Sequence, residues 1–263
     1  MNTVTAVLGK LQPGIWIIAA IGLAWHVLVV VTEVPAFIFP APLDVISTLF
    51  HKFGYFLKHA SVTAFEIIVG LILGCILGIL SALVLLAFKS SRRWVLPLMV
   101  VSQSVPVFAL APLLTLWLGY GMSSKIAMAV LIIYFPVVAA SFDGLRHTPD
   151  AMLQLARSMN ASRWSIIRHI RFPAALPSIA SGIRVATSVA PIGAVIGEWV
   201  GSSQGLGFAM LNANGRMQTD EMFAALFCLC ILAVTLYLIV NAMLEKCLRW
   251  HSGKTDTQNF STH

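Results

Sequence analysis

Long uninterrupted apolar runs constrain this chain more than any other feature. One of them, FEIIVGLILGCILGILSAL at residues 65–83, matches the roughly 20 helical residues that a bilayer core of ~30 Å requires. In lipid, backbone polar groups are satisfied only within helices or closed barrels. A barrel would show alternating segments of about ten residues, and these runs do not alternate. With 59% hydrophobic residues, 10% charged residues and a mean hydropathy of +0.89, the chain reads as an all-α, polytopic membrane protein.

About six transmembrane helices are expected, near residues 14–32, 62–88, 94–118, 125–142, 178–200 and 223–246. The first run is long and several more follow, so it reads as an uncleaved span rather than a signal peptide. Residues 34–59 are too polar to cross. They open on Pro40-Ala41-Pro42 and continue as LDVISTLFHKF, a short surface helix entered from a proline turn. The expected organisation is one transmembrane domain over 1–250 and a polar tail over 251–263.

The net charge of +7 could suggest a nucleic-acid partner, but the positions of the charges explain it better. Thirteen of the 17 basic residues fall on one side of the expected spans: Lys10, Lys89, Arg92, Arg93, Arg146, Arg157, Arg163, Arg168, Arg171, Arg184, Lys246, Arg249 and Lys254. Only Lys52, Lys58, Lys125 and Arg216 fall on the other. The positive-inside rule then places both termini in the cytoplasm. The four cysteines show no disulfide framework and no metal spacing.

Within the spans, small residues recur at helical spacing. Gly70, Gly74 and Gly78 are followed by Ala82, and span five carries Gly182, Ala186, Ala190 and Ala194 beside Gly193, Gly197 and Gly201. Such stripes let helices pack closely, and a pore lining would use the same surfaces. Span three combines Pro97, Pro106 and Pro112 with Ser102-Gln103-Ser104. A polar triplet beside a kink suggests a wall facing water or solute. Glu66 and Glu198 are acids inside apolar spans, so each is a candidate for the translocation pathway together with Gln103 and Pro106. The alternative for each acid is an interfacial side chain that snorkels or caps. No zinc helix, nucleophile elbow or phosphate loop is present. GSSQGLG, residues 201–207, follows a span on the outer side and reads as a turn.

The polar insert between spans four and five, residues 146–177, contains DAMLQLARSMNASRWSIIRHIRFPAALPSI. Met152, Leu153, Ala156 and Met159 share a helical face. Asn160-Ala161-Ser162 interrupts it, with Asn or Ser available as an N-cap. A second short helix carries Trp164, Ile167 and Ile170. Pro173 is expected to end that helix, and Pro177 to begin span five.

This insert resembles the EAA loop of permease subunits in ATP-binding-cassette importers, whose spacing is EAA, three residues, Gly, nine residues, Ile, any residue, Leu-Pro. Here it falls on Gln154-Leu155-Ala156, Asn160 and Ile170-Arg171-Phe172-Pro173. Gln154, Asn160 and Phe172 stand where the family usually has Glu, Gly and Leu. Asn tolerates the left-handed backbone that glycine often supplies. PAPLDV, SQSVPVFALAPLLTLWLGYG, FPAALPSIASGIRVA and GAVIGEWVGSSQGLG are similar to the taurine/sulfonate/nitrate-type group. The Glu66 and Glu198 contexts look closest to permeases for pyrimidine-type (hydroxymethylpyrimidine) thiamine precursors or for riboflavin.

The resemblance implies a type I importer permease fold, no cofactor and no catalytic residues. It implies a coupling loop built on Gln154, Ala156, Asn160, Ala161, Trp164, Ile167, Ile170 and Pro173, with Trp164 and Ile167 as its apolar anchor. The implied partners are a cytoplasmic ATP-binding subunit, a periplasmic substrate-binding protein and a second permease copy in the inner membrane. A membrane-embedded enzyme is the competing class; it would need convergent polar groups, and only Glu66 and Glu198 qualify. A secondary carrier would show more spans and an internal repeat.

Overall fold

The computed structural model describes residues 2–88, 93, 97 and 105–248. Among these, helices account for all regular structure. α1 spans Asn2–Thr32, α2 Pro42–His51 and α3 Phe53–Ala87. α4 spans Val107–Leu118, α5 Met122–Arg146 and α6 Asp150–Ser158. α7 runs Arg163–Gly201, α8 Leu206–Gly215 and α9 Thr219–Cys247. Four of them, α3, α5, α7 and α9, are long and apolar enough to cross a membrane.

α5 is the axle of the bundle, with α3 on one side and α7 on the other. The glycine stripes explain the close approach. A Cβ on Gly70 would sit 2.6 Å from Ala129 Cβ, on Gly74 2.5 Å from Ile133 Cγ2, and on Gly78 2.8 Å from Val137 Cγ1. From the other side, one on Gly193 would meet Ala129 Cα at 2.8 Å, and one on Gly182 would meet Ala140 Cβ at 2.6 Å. Contacts that short force a shift, so α5 is gripped between two faces stripped of side chains. Ile67, Ile133, Val137, Ala186 and Ala190 fill the seam.

Several elements differ from the sequence reading. α3 begins at Phe53 rather than near 62, because Phe56 and His59 find buried places against other elements. Within the described residues, the third expected span is the helix Val107–Leu118, with Pro106 just ahead of its first turn; Ser102, Gln103 and Ser104 lie outside the described residues. The helix Leu206–Gly215 was not expected at all.

Pro173 does not end a helix. The chain is helical without a break from Arg163 to Gly201. Ile167–Arg171 form a π turn, in which the Phe172 N–H donates to Ile167 O. That turn shifts the hydrogen-bond register just before a residue that has no N–H to give, and the helix continues through Pro173 and Pro177.

Candidate functional site

The insert forms a platform at one end of α5 and α7. α6 ends in a Schellman motif: Ala161 N–H donates to Ala156 O at 3.0 Å and Asn160 N–H to Arg157 O at 2.9 Å. Asn160 occupies the position that needs a left-handed backbone, at φ 53°. Ser162 then caps α7, accepting from Ser165 N–H at 3.2 Å. The helix–turn–helix is thus closed by two adjacent local motifs, with Ala161 between their key residues.

The face expected to be shared by Met152, Leu153, Ala156 and Met159 divides. Leu153 and Ala156 are buried, whereas Met152, Leu155 and Met159 form an exposed row. Gln154 is exposed. Trp164 is 66% exposed. Ile167, Ile170 and Pro173 are half-buried, and Ile167 packs on the core cluster around Leu145 and Ile179. Arg171 Nη1 donates to Leu145 O at 3.2 Å, tying the loop to the end of α5.

A second constellation lies inside the bundle. Glu66 on α3 and Glu198 on α7 are 0% and 1% exposed, and their carboxyl groups adjoin each other. Lys125 Nζ lies 2.6 Å from Glu66 Oε1 and donates to Ser202 Oγ at 2.9 Å. Ser202 in turn bonds Gln204 O. Thr63 donates to Glu198 Oε1 at 2.6 Å.

These side chains hold the start of α8. Gly205 N–H donates to His59 Nδ1 at 2.9 Å, Leu206 N–H to Thr63 Oγ1 at 2.8 Å, and Gly207 N–H to Glu198 Oε2 at 2.5 Å. Three successive amides at a helix N-terminus, which carry no intrahelical partner, are each satisfied by α3 or α7. A carboxylate there also complements the helix dipole. The glycines follow from this grip. Gly205 has φ +113°, and a Cβ there would collide with the Glu198 carboxyl; on Gly207 it would lie 2.8 Å from Glu198 Oε2. GSSQGLG is therefore a clamped turn leading into a capped helix.

The structure brings Glu66 and Glu198 together but seals them from open space. Glu198 takes the capping role, though buried rather than interfacial. Pro106 is exposed, and Gln103 lies outside the described residues. Sequence reasoning missed His59, Thr63, Lys125, Ser202, Gly205 and Gly207. The available signal was Lys125, one of only four cations expected on the acids' side, at the edge of an expected span.

Comparison with known proteins assigns the family. Residues 70–249 match the family described as binding-protein-dependent transport system inner membrane component. A probable ABC transporter permease of Haemophilus influenzae is 48% identical, over 90% of this chain and 97% of that protein. A formylaminopyrimidine transport permease of Halalkalibacterium halodurans is 33% identical, over 81% of this chain and 86% of its own. A riboflavin transport system permease of Chloroflexus aurantiacus is 30% identical, over 87% and 86%. A chain of the MetNI methionine ABC transporter in an inward-facing conformation superposes with a TM-score of 0.60 at 18% identity, covering 76% of this chain and 97% of that one. That likeness shows the fold, a type I importer permease.

Family membership carries two functional partners, an ATP-binding subunit and a substrate-binding protein, and makes the chain a transport component rather than an enzyme. The chain belongs to the inner-membrane components of binding-protein-dependent transport systems: it is a multi-pass permease subunit of an ATP-binding-cassette importer.

Proposed function

We propose that this permease imports a pyrimidine-type thiamine precursor. The observation that carries the reading is the pairing of Lys125 with Glu66. A sulfonate route would favour an unneutralised cation at depth, and this buried lysine is neutralised by a carboxylate. A neutral ring needs no such cation. The 33% identity with the formylaminopyrimidine permease, over most of both chains, supports the same choice. Riboflavin is the alternative, supported by the 30% relative. Sulfonate, taurine or nitrate is a further one.

In this reading one transmembrane domain over 1–250 pairs with a second copy of itself, and both termini and the 251–263 tail are cytoplasmic. The EAA-type coupling loop, built on Gln154, Ala156, Asn160, Ala161, Trp164, Ile167, Ile170 and Pro173, docks on the ATPase, with Ala156 packed inside the loop. The exposed row Met152, Leu155 and Met159 supplies its outward apolar contact. Pro106 is assigned to the solute pathway, as is Gln103, which lies outside the described residues. Glu66 and Glu198 act on it indirectly, by fixing the 201–207 turn and the start of α8.

Uptake of a labelled aminopyrimidine by cells expressing the complete importer tests the substrate. Excess unlabelled hydroxymethylpyrimidine should suppress it, and excess riboflavin or taurine should not. Suppression by either of the latter overturns the assignment.

A further inference from the structure

The Glu66–Glu198 cluster leaves one oxygen without a hydrogen. Glu198 Oε1 accepts from Thr63, and Oε2 accepts from the Gly207 N–H. Glu66 Oε1 faces the Lys125 ammonium. Glu66 Oε2 is fully buried and has no hydrogen-bond donor among the described residues. The two carboxyl groups lie within hydrogen-bonding reach of each other. An ionised carboxylate can only accept, so two of them cannot bond across that contact. Like charges so close also disfavour double ionisation.

The charges point the same way. Two ionised acids bring two negative charges, and Lys125 brings one positive. His59 adds none, because its Nδ1 accepts the Gly205 N–H and so carries no proton. Among the described residues, no other ionisable side chain adjoins either carboxyl. The cluster would then strand a negative charge on groups that are 0% and 1% exposed, at high cost in a low-dielectric interior.

We propose that Glu66 and Glu198 form a proton-binding site, in which one proton on Glu66 Oε2 is donated to the adjoining Glu198 carboxyl. The pair then carries a single negative charge, balanced by Lys125. A bridging water would satisfy the bare oxygen but leave the excess charge. A metal ion would have to share its space with the Lys125 ammonium. One proton meets both needs. The neutral cluster joins α3, α5 and α7 and caps the start of α8, so the 201–207 turn is held through a bound proton. The inference rests on the bundle interior alone and holds whichever solute the permease carries.

Infrared spectroscopy of the full-length permease in lipid vesicles at neutral pH tests the site. A protonated carboxyl gives a C=O stretching band separate from that of carboxylates. Glu33, Glu221 and Glu245, the other glutamates, are not buried. Isotope-labelled glutamate carboxyls should therefore shift this band in the wild type, with no substitution needed. Glu66→Gln and Glu198→Gln should each remove it, since either leaves one carboxylate to balance Lys125. Lys125→Met should raise it about twofold, because the cluster then takes up a second proton rather than strand a charge. A wild-type spectrum without an isotope-shifted band overturns the proposal. So does a band that persists in either Gln variant, which would place the proton on one acid alone, or a band unchanged in Lys125→Met, which would detach the proton from the charge balance.

Discussion

Lys125 Nζ sits 2.6 Å from Glu66 Oε1, with the two side chains only 7% and 0% exposed. The lysine joins two parts of the protein. One bond reaches a carboxylate on α3, and the other reaches Ser202 in the turn after α7. A buried pair of this kind is costly to break, because the surviving charge is stranded. Lys125→Met should therefore lower stability by about 3–5 kcal/mol, read as a drop in thermal unfolding temperature in detergent. Lys125→Met/Glu66→Leu should recover most of the loss. A double variant no better than the single one would show that the pairing is not its source.

The clamp on α8 predicts an asymmetry between two glycines. Gly205→Ala forces a side chain into a φ of +113° and against the Glu198 carboxyl, and should cost about 1–3 kcal/mol. Gly215→Ala, at the other end of the same helix, meets nothing within 4 Å. It should stay within roughly 0.5 kcal/mol of wild type. Thermal unfolding of the two variants side by side decides it.

Glu198 supplies both carboxylate oxygens, one to Thr63 and one to Gly207. Glu198→Gln must turn an amide NH₂ toward one of these donors. Given the loss of a charge-assisted cap, a cost of about 1–2 kcal/mol is expected. Uptake should fall while the ATP-binding subunit still co-purifies, since the platform lies elsewhere. Glu66→Gln should separate uptake from docking in the same way. Unchanged uptake in both variants would remove the acids from the transport cycle.

Asn160 has φ 53° and closes the Schellman motif. Asn160→Gly should be neutral or mildly stabilising. Asn160→Val should cost about 1–2 kcal/mol or more through the left-handed penalty. It should also uncouple ATP hydrolysis from uptake, measured in reconstituted vesicles. Full coupling in the valine variant would argue that the turn is not read by the ATPase.

The exposed row on α6 makes a sharper docking test than Ile167, which is half-buried against the core. Leu155→Glu/Met159→Glu should reduce recovery of the ATP-binding subunit at least tenfold in a pull-down, with the permease fold unchanged by circular dichroism. Undiminished recovery would move the docking surface off this row.

The four long helices were legible because lipid leaves the sequence so little choice: an apolar run of that length has to be helical. The turn at Asn160 was legible for a related reason, since its chemistry is local to a few residues. The helix Arg163–Gly201 was misread because proline was taken as a stop. Whether a π turn absorbs the missing N–H depends on the register of neighbouring bonds, which composition does not encode.

The sequence by itself determined class, membrane setting and the position of the basic insert, all of which follow from local hydropathy and charge. Only the tertiary structure decided what Glu66 and Glu198 do. They are 132 residues apart in the chain, and read singly each is an acid in a span. Packed on either side of α5, Glu66 meets Lys125, and Glu198 meets Thr63 and the amide of Gly207. The low dielectric of that interior makes each pairing there worth far more than it would be in water.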